Sequence, residues 1–317
     1  MGLNVALWPT IAGVAILVIG LVAVKDRFFA SRGLDRLIVL GPALAAGSIA
    51  SFGAEHMAIG KEMVGMVPQY MPWHTFWVYF VGAALLATGL SLAVGRCVRW
   101  SAPSLAGMLF LFVAMLSLPS LVAHPENRLT WTLTLRDSCF GLGALALAVS
   151  LWGESRGAKA GSAAWRWMIL GARVVIGAAL VFYGVQYLLH PDEAGGIPLE
   201  KMTPGWVPGL RLWGYLGGLI LIAGGAAVVI NKRARFAAAL VGLWMVVVTV
   251  FLYLPIFVLD PPELKLEGMN YVFDTLFFGG TMLLLAGALP REDRLSVWES
   301  LRGRGFDSRA ASKTGLG

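Results

Sequence analysis

Nine apolar runs, each close to the length of a membrane-crossing helix, alternate with short polar stretches along the chain. A helix needs about 20 apolar residues to cross the hydrocarbon core of a bilayer, and it satisfies its own backbone hydrogen bonds there. Only 14% of the residues are charged, whereas soluble domains carry roughly a quarter. We therefore predict an all-α integral membrane protein with nine transmembrane helices, at residues 5–24, 37–58, 75–94, 101–122, 131–152, 167–189, 212–230, 236–257 and 271–289.

The positive charges are unevenly divided between the two sides of these helices. With the amino terminus outside, nineteen Lys and Arg residues face the cytoplasm and six face the other side, which is the positive-inside pattern. We predict a bacterial-type inner (cytoplasmic) membrane, with the N-terminus outside and the C-terminus cytoplasmic. The net charge of +7 lies beside the spans, where it attracts anionic lipid head groups. The lipid bilayer is the expected partner, and no nucleic-acid role is indicated.

An internal repeat with an offset of 136 residues relates two parts of the chain. Self-similarity at a fixed offset indicates duplication of one structural unit. We predict one extra N-terminal helix and its cytoplasmic loop at 1–35, two parallel four-helix repeats at 36–160 and 161–290, and a basic cytoplasmic tail at 291–317. The clearest aligned loop residues are Met66 with Met202, Pro68 with Pro204, Tyr70 with Trp206 and Pro72 with Pro208.

Two outer loops share a core of proline and aromatic residues, which fix the backbone and suit an interface between apolar and wet surroundings. One interpretation is a lid over a cavity that admits an amphipathic ligand such as a quinone head group. The other is an aromatic belt that lies on the membrane surface. The lid residues would be Pro68, Tyr70, Pro72, Trp73, Pro204, Trp206 and Pro208.

Four ionisable residues are candidates for a ligand or proton site, because such groups are costly at membrane depth and usually face a cavity or a partner. Glu55 and His56 stand together near the outer end of the second predicted span. Asp137 and Asp274 recur in the two repeats near the starts of inward-running spans. For these two acids we favour a position in the first helical turn, where a carboxylate caps free amide groups.

The histidines do not form a metal-binding pattern. All four, His56, His74, His124 and His190, fall at outer helix ends or in outer loops, with no HxxxH spacing. The chain also lacks CxxC, CxxCH, Walker and dinucleotide motifs. We therefore predict no metal site and favour solvated interfacial histidines over a haem site, which leaves a quinone as the cofactor that the sequence allows.

The stretch FGAEHMAIGKEMVGMVPQYMPWHTFWVYFVGAALLATGLSLAVGRCVRW resembles the DoxX-like family of small four-helix membrane proteins. The second half of the chain resembles the family more weakly, so the chain looks like a tandem duplication covering about residues 36 to 290. The residues that carry the resemblance are Gly53, His56, Val67, Pro68, Tyr70, Pro72, Tyr79 and Arg96, and then Pro204, Trp206, Pro208, Tyr215 and Lys232.

This resemblance implies membrane redox work, because the family includes subunits of a thiosulfate and quinone oxidoreductase and partners of detoxifying enzymes. We expect a DoxX-like integral membrane subunit that serves a quinone-linked redox or respiratory system, alongside other membrane or peripheral redox subunits. The alternative is a non-catalytic structural or anchoring subunit of a larger complex. A small-solute transporter is disfavoured, because the predicted helices lack central breaks and paired charges.

Overall fold

A computed structural model describes residues 2–155, 163–193 and 204–291 of the chain, and those residues form helices and connections with no β-strand. Within these ranges nine helical segments are long and apolar enough to cross a membrane. The prediction of an all-α, multi-pass membrane protein with nine such helices is therefore confirmed. The tail beyond residue 291 and the 194–203 part of the second outer loop lie outside the described residues.

The helices run back and forth with short connections between them. Two of the long segments contain a π-helical stretch, and short 3-10 turns occur at Val64–Met66 and Pro262–Leu264. The α-helices are α1 (Gly2–Ala30), α2 (Leu34–Ala58), α3 (Gly60–Met63), α4 (His74–Val94), α5 (Val98–Phe112), α6 (Leu118–Ala123), α7 (Arg128–Ser155), α8 (Ala163–Leu189), α9 (Leu210–Val229), α10 (Ala234–Val248), α11 (Leu254–Leu259) and α12 (Lys265–Ala288).

Several helices begin earlier than the hydropathy pattern indicates. The fifth span was predicted from residue 131 but α7 begins at Arg128, and the ninth was predicted from residue 271 but α12 begins at Lys265. Hydropathy locates only the apolar part of a helix, whereas helical hydrogen bonding continues through polar residues at its end. Residues predicted near the start of these two helices therefore lie deeper within them.

Helix α12 is the centre of the bundle. Nearly all of its apolar segment is buried, and it packs against α2, α7 and α10. Helix α1 packs on α2 and leaves its other side open, with Trp8 66% and Val22 59% exposed. In a membrane protein an exposed apolar face of this kind is the face that meets lipid.

Paired glycines bring two sets of helices into close contact. A Cβ built on Gly53 of α2 would lie 2.8 Å from the carbonyl oxygen of Gly82 on α4, and one on Gly184 of α8 would lie 2.6 Å from that of Gly218 on α9. Because lipid provides no hydrophobic drive for helix association, close backbone packing has to supply the attraction. Glycine permits such packing at these two crossings, because any side chain there would collide with the neighbouring backbone.

The π-helical stretches lie at Val113–Ser117, between α5 and α6, and at Thr249–Tyr253, between α10 and α11. A proline, Pro119 or Pro255, stands two residues after the last residue of each stretch. Proline lacks a backbone N–H and its ring collides with the carbonyl one turn earlier, so the helix has to widen or kink there. At the end of the first stretch, the carbonyl oxygen of Ser117 accepts a hydrogen bond from Thr134 Oγ1 on α7 at 3.2 Å.

Candidate functional site

A cavity of about 790 Å³ lies near the end of the bundle at which α2 ends and α4, α7 and α12 begin. We call this end the cavity end. The cavity extends from the connection at residues 59–73 to Phe277, which is about 18 Å along α12 from Lys265 at 1.5 Å per residue. That length is a little more than half of a hydrocarbon core of about 30 Å.

The wall of the cavity is mostly apolar and comes from α2, α4, α5, α7 and α12. Its volume and its apolar lining with a few polar groups are typical of sites for small organic molecules. Representative apolar lining residues are Phe52, Trp77, Val81, Leu109, Phe140 and Phe277.

The charged part of the lining is centred on Arg136. Its Nη1 donates to Asp274 Oδ2 at 2.8 Å, and its Nε donates to the neighbouring Asp137 Oδ1 at 3.0 Å. Ser117 Oγ, at the end of the first π-helical stretch, donates to the other oxygen of Asp137 at 2.9 Å. These contacts tie α7, α12 and the π-helical stretch together at one point of the cavity wall.

Asp137 and Asp274 are not the first-turn caps that the sequence favoured. Each stands nine residues after the first residue of its helix, at Arg128 and Lys265, which is about 14 Å of rise. The prediction was wrong because both helices begin earlier than their apolar segments. Both acids instead face a buried guanidinium and line the cavity, as the competing interpretation of a ligand or proton site requires.

Glu55 and His56 also line the cavity, from the last turn of α2. The Glu55 side chain is buried, and its Oε1 accepts a hydrogen bond from Asn270 Nδ2 of α12 at 3.0 Å. His56 is half-buried, and its Nδ1 lies 2.8 Å from the carbonyl oxygen of Phe52. Because a carbonyl oxygen can only accept, Nδ1 carries the proton of a neutral ring.

The first outer loop contributes Pro68 to the cavity lining, together with Met63, Met66 and Met71. Tyr70, Pro72 and Trp73 are exposed and do not line it. His74 Nε2 lies 3.2 Å from the carbonyl oxygen of Pro68, which joins the loop to the start of α4.

The predicted lid residues of the second loop, Pro204, Trp206 and Pro208, do not line this cavity. Trp206 is half-exposed and Pro208 is exposed, whereas their neighbour Val207 is buried. His124 and His190 are also exposed. Of the four histidines, only His56 lines the cavity.

Two polar residues of the site were not among the sequence candidates. Arg136 was visible only as an arginine beside an acid inside an apolar stretch, a rare and usually functional arrangement within a membrane. Asn270 carries no such signal, because an amide near a helix start is common and its partner Glu55 is 215 residues away.

The cavity combines a mostly apolar wall with a polar cluster that contains more acidic than basic side chains. Glu55, Asp137 and Asp274 face one guanidinium, and Glu267 lies exposed at the rim. An amphipathic molecule fits such a cavity with its apolar part against the wall and its polar head on the cluster. The same carboxylates are able to exchange protons with a bound head group.

Comparisons with family models, curated proteins and solved structures found no match to the chain. Its function therefore has to be inferred from the cavity and the polar cluster.

Proposed function

We propose that the protein is a DoxX-like integral membrane subunit that binds a quinone-class molecule in the cavity and serves a quinone-linked redox or respiratory system. The observation that supports this proposal is the apolar cavity of about 790 Å³ with Arg136, Asp274 and Glu55 in its wall. Other membrane or peripheral redox subunits are the partners that carry electrons to or from the bound molecule.

The parts of the cavity correspond to the parts of such a ligand. An isoprenoid tail is apolar and gains by burial against Trp77, Leu109 and Phe140. The oxygen atoms of the ring require polar partners, and a buried polar atom without one is penalised. Arg136 supplies donors for carbonyl oxygens, Glu55 and His56 supply acceptors for hydroxyl groups, and the carboxyl groups of the cluster exchange the protons that accompany quinone reduction.

The proposed architecture is an extra N-terminal helix followed by two parallel four-helix repeats. Its support comes from the recurrence of unusual backbone conformations at a separation of 136 residues. Residues with a left-handed backbone conformation stand just before α4 and α9, just after the same two helices, and just before α5 and α10. The two π-helical stretches also begin at matching positions. The matching pairs are Trp73 with Gly209, Gly95 with Asn231, Cys97 with Arg233 and Val113 with Thr249.

The two proposed repeats differ in polarity. Glu55 in the first corresponds to Gln186 in the second, and the cavity lies among helices of the first repeat with α12 of the second as one wall. A ligand site is therefore assigned to the first repeat, completed by Asn270 and Asp274.

The proposed setting is a bacterial-type inner membrane with the N-terminus outside and the C-terminus cytoplasmic. The division of nineteen Lys and Arg residues on one side against six on the other supports it. In this orientation the cavity end faces outward, and the ion pairs of Asp35 with Arg235 and Arg291 lie at the cytoplasmic end.

Extraction of bound ligand tests the proposal. The protein is purified in a mild detergent, extracted with solvent, and examined by optical spectroscopy and mass spectrometry. We expect a quinone-class ligand, counted as quinone plus quinol, in the natural protein and less of it in Glu55→Gln and His56→Ala, while the exposed Glu126→Gln serves as the matched control. A protein that yields no quinone and also fails to bind added decylubiquinone would contradict the proposal.

A transporter is the second candidate, because two observations now favour it. The paired charges of Arg136 and Asp274 lie within two of the long apolar helical segments, and α5 is followed by a π-helical stretch at Val113–Ser117. Transport requires the cavity to open to each face in turn. In a background without Cys97 and Cys139, a Phe140→Cys variant labelled by an impermeant maleimide from both faces supports transport, and labelling from the cavity end alone supports a binding site.

A further inference from the structure

The donors of the polar cluster are already largely used within the protein. All three nitrogens of Arg136 contact acids: Nε and Nη2 lie 3.0 Å from Asp137 Oδ1, and Nη1 lies 2.8 Å from Asp274 Oδ2. A guanidinium has five N–H groups in a fixed plane. One N–H on each terminal nitrogen is thus left for a ligand, and both nitrogens are held in place by the acids.

Several acceptors of the cluster, in contrast, remain open. In the described part of the chain, Glu55 receives its hydrogen bond on Oε1 and Asp274 receives its own on Oδ2, which leaves one oxygen of each carboxylate. Asn270 Oδ1 is buried and has no hydrogen-bond partner among the described residues. A native structure rarely leaves a buried acceptor unsatisfied, so this oxygen points to a donor that is supplied by a ligand or by water.

The tautomer of His56 adds another acceptor. The contact of Nδ1 with the carbonyl oxygen of Phe52 at 2.8 Å places the proton of the neutral ring on Nδ1. Nε2 is then left with a lone pair and no proton. The side chain therefore offers the cavity an acceptor in its neutral form.

The cavity wall has more free acceptors than free donors, and this difference affects the two redox forms of a quinone-class ligand unequally. A quinol has two hydroxyl groups that donate, and a hydroxyl that donates to a carboxylate forms a strong, charge-assisted hydrogen bond. A quinone has two carbonyl oxygens that only accept, and an acceptor that faces an ionised carboxylate gains no hydrogen bond and is repelled. The surplus of open acceptors thus favours binding of the quinol, whose hydroxyl groups donate.

We propose that the cavity selects quinol over quinone, with one quinol hydroxyl donating at the hydrogen-bonded pair of Glu55 and Asn270 and the other donating to the open oxygen of Asp274. This inference rests on the proposed function and specifies the ligand form of the same site. The N–H groups that Arg136 retains still bind a carbonyl, so the oxidised form binds more weakly and is not excluded. Selectivity of at least about tenfold is expected, because a hydrogen bond to a charged group contributes about 1.5–3 kcal/mol.

Anaerobic titration of the purified protein with decylubiquinol and with decylubiquinone tests the selectivity. Binding is followed by quenching of Trp fluorescence, since Trp77 lines the cavity, and by calorimetry as an independent readout. Glu55→Gln keeps the shape of the side chain and replaces one oxygen by a donor, so the ratio of the two dissociation constants should fall. The same replacement at the exposed Glu126 should leave the ratio unchanged, and circular dichroism checks that each variant is folded.

The possible results of this titration test quinol selection and the proposed function separately. A quinol preference of tenfold or more that falls in Glu55→Gln supports quinol selection. Equal or tighter binding of decylubiquinone overturns quinol selection and leaves a quinone-class site intact. Binding of neither compound overturns the proposed function itself. Tighter binding of a long-chain alkylammonium than of quinol also overturns the inference, in favour of a cationic amphiphile.

Discussion

Removal of the Arg136 charge should destabilise the protein more than loss of any single carboxylate in the cluster. The Arg136 and Asp274 side chains are 20% and 8% exposed, and their charged atoms are 2.8 Å apart. Arg136→Met keeps much of the side-chain volume but leaves Asp274 and Asp137 facing each other without the cation. Loss of one partner of a buried ion pair costs about 3–5 kcal/mol in the free energy of unfolding.

Asp274→Asn should cost less, about 1–3 kcal/mol, because Arg136 still pairs with Asp137. Unfolding of the purified protein by SDS in mixed micelles, followed by circular dichroism, measures both variants. The matched control is Asp192→Asn, which breaks the exposed pair with Arg211 and should shift the midpoint little. If Arg136→Met unfolds at the same midpoint as this control, the guanidinium is not buried among the acids and the description of the site is refuted.

Two further predictions use matched pairs of residues in the same unfolding assay. Tyr183 and Tyr187 are both fully buried one turn apart on α8. Among the described residues the Tyr183 hydroxyl donates to the backbone carbonyl of Thr132 at 2.8 Å, whereas the Tyr187 hydroxyl has no hydrogen-bond partner. Tyr183→Phe should therefore lose about 1 kcal/mol and Tyr187→Phe should lose none; an equal loss would mean that buried water bonds to Tyr187. Gly53→Ala should cost about 1–3 kcal/mol, because its Cβ would meet backbone at 2.8 Å. Gly107→Ala, with open space around it, should cost nothing, and a similar loss in both would argue against the close helix crossing.

The nine apolar helices could be predicted because hydropathy is a local property that each segment carries by itself. Glu55 and His56 could be named for the same reason, as ionisable groups near the end of an apolar stretch. The depth of Asp274 could not be predicted, since it depends on α12 beginning at Lys265, among polar residues that an apolar pattern does not assign to the helix.

The residue pairings within the site could not be predicted from the sequence either. Arg136 and Asp274 are 138 residues apart, and no short spacing marks two residues that meet only when α7 packs on α12. The open acceptor of Asn270 depends on which way its amide is turned by Glu55. Such facts follow from three-dimensional packing and not from residue types along the chain.

Photoaffinity mapping with a photoreactive quinone analogue tests the central claim, that the cavity binds a quinone-class molecule, most directly. Mass spectrometry of the labelled protein in nanodiscs should find the label on cavity-lining residues within the ranges 63–81 and 105–116, and excess decylubiquinol should remove it. Label confined to the exposed face of α1, at Trp8 and Val22, and unaffected by competitor would contradict the claim, because it would report only analogue dissolved in the surrounding lipid.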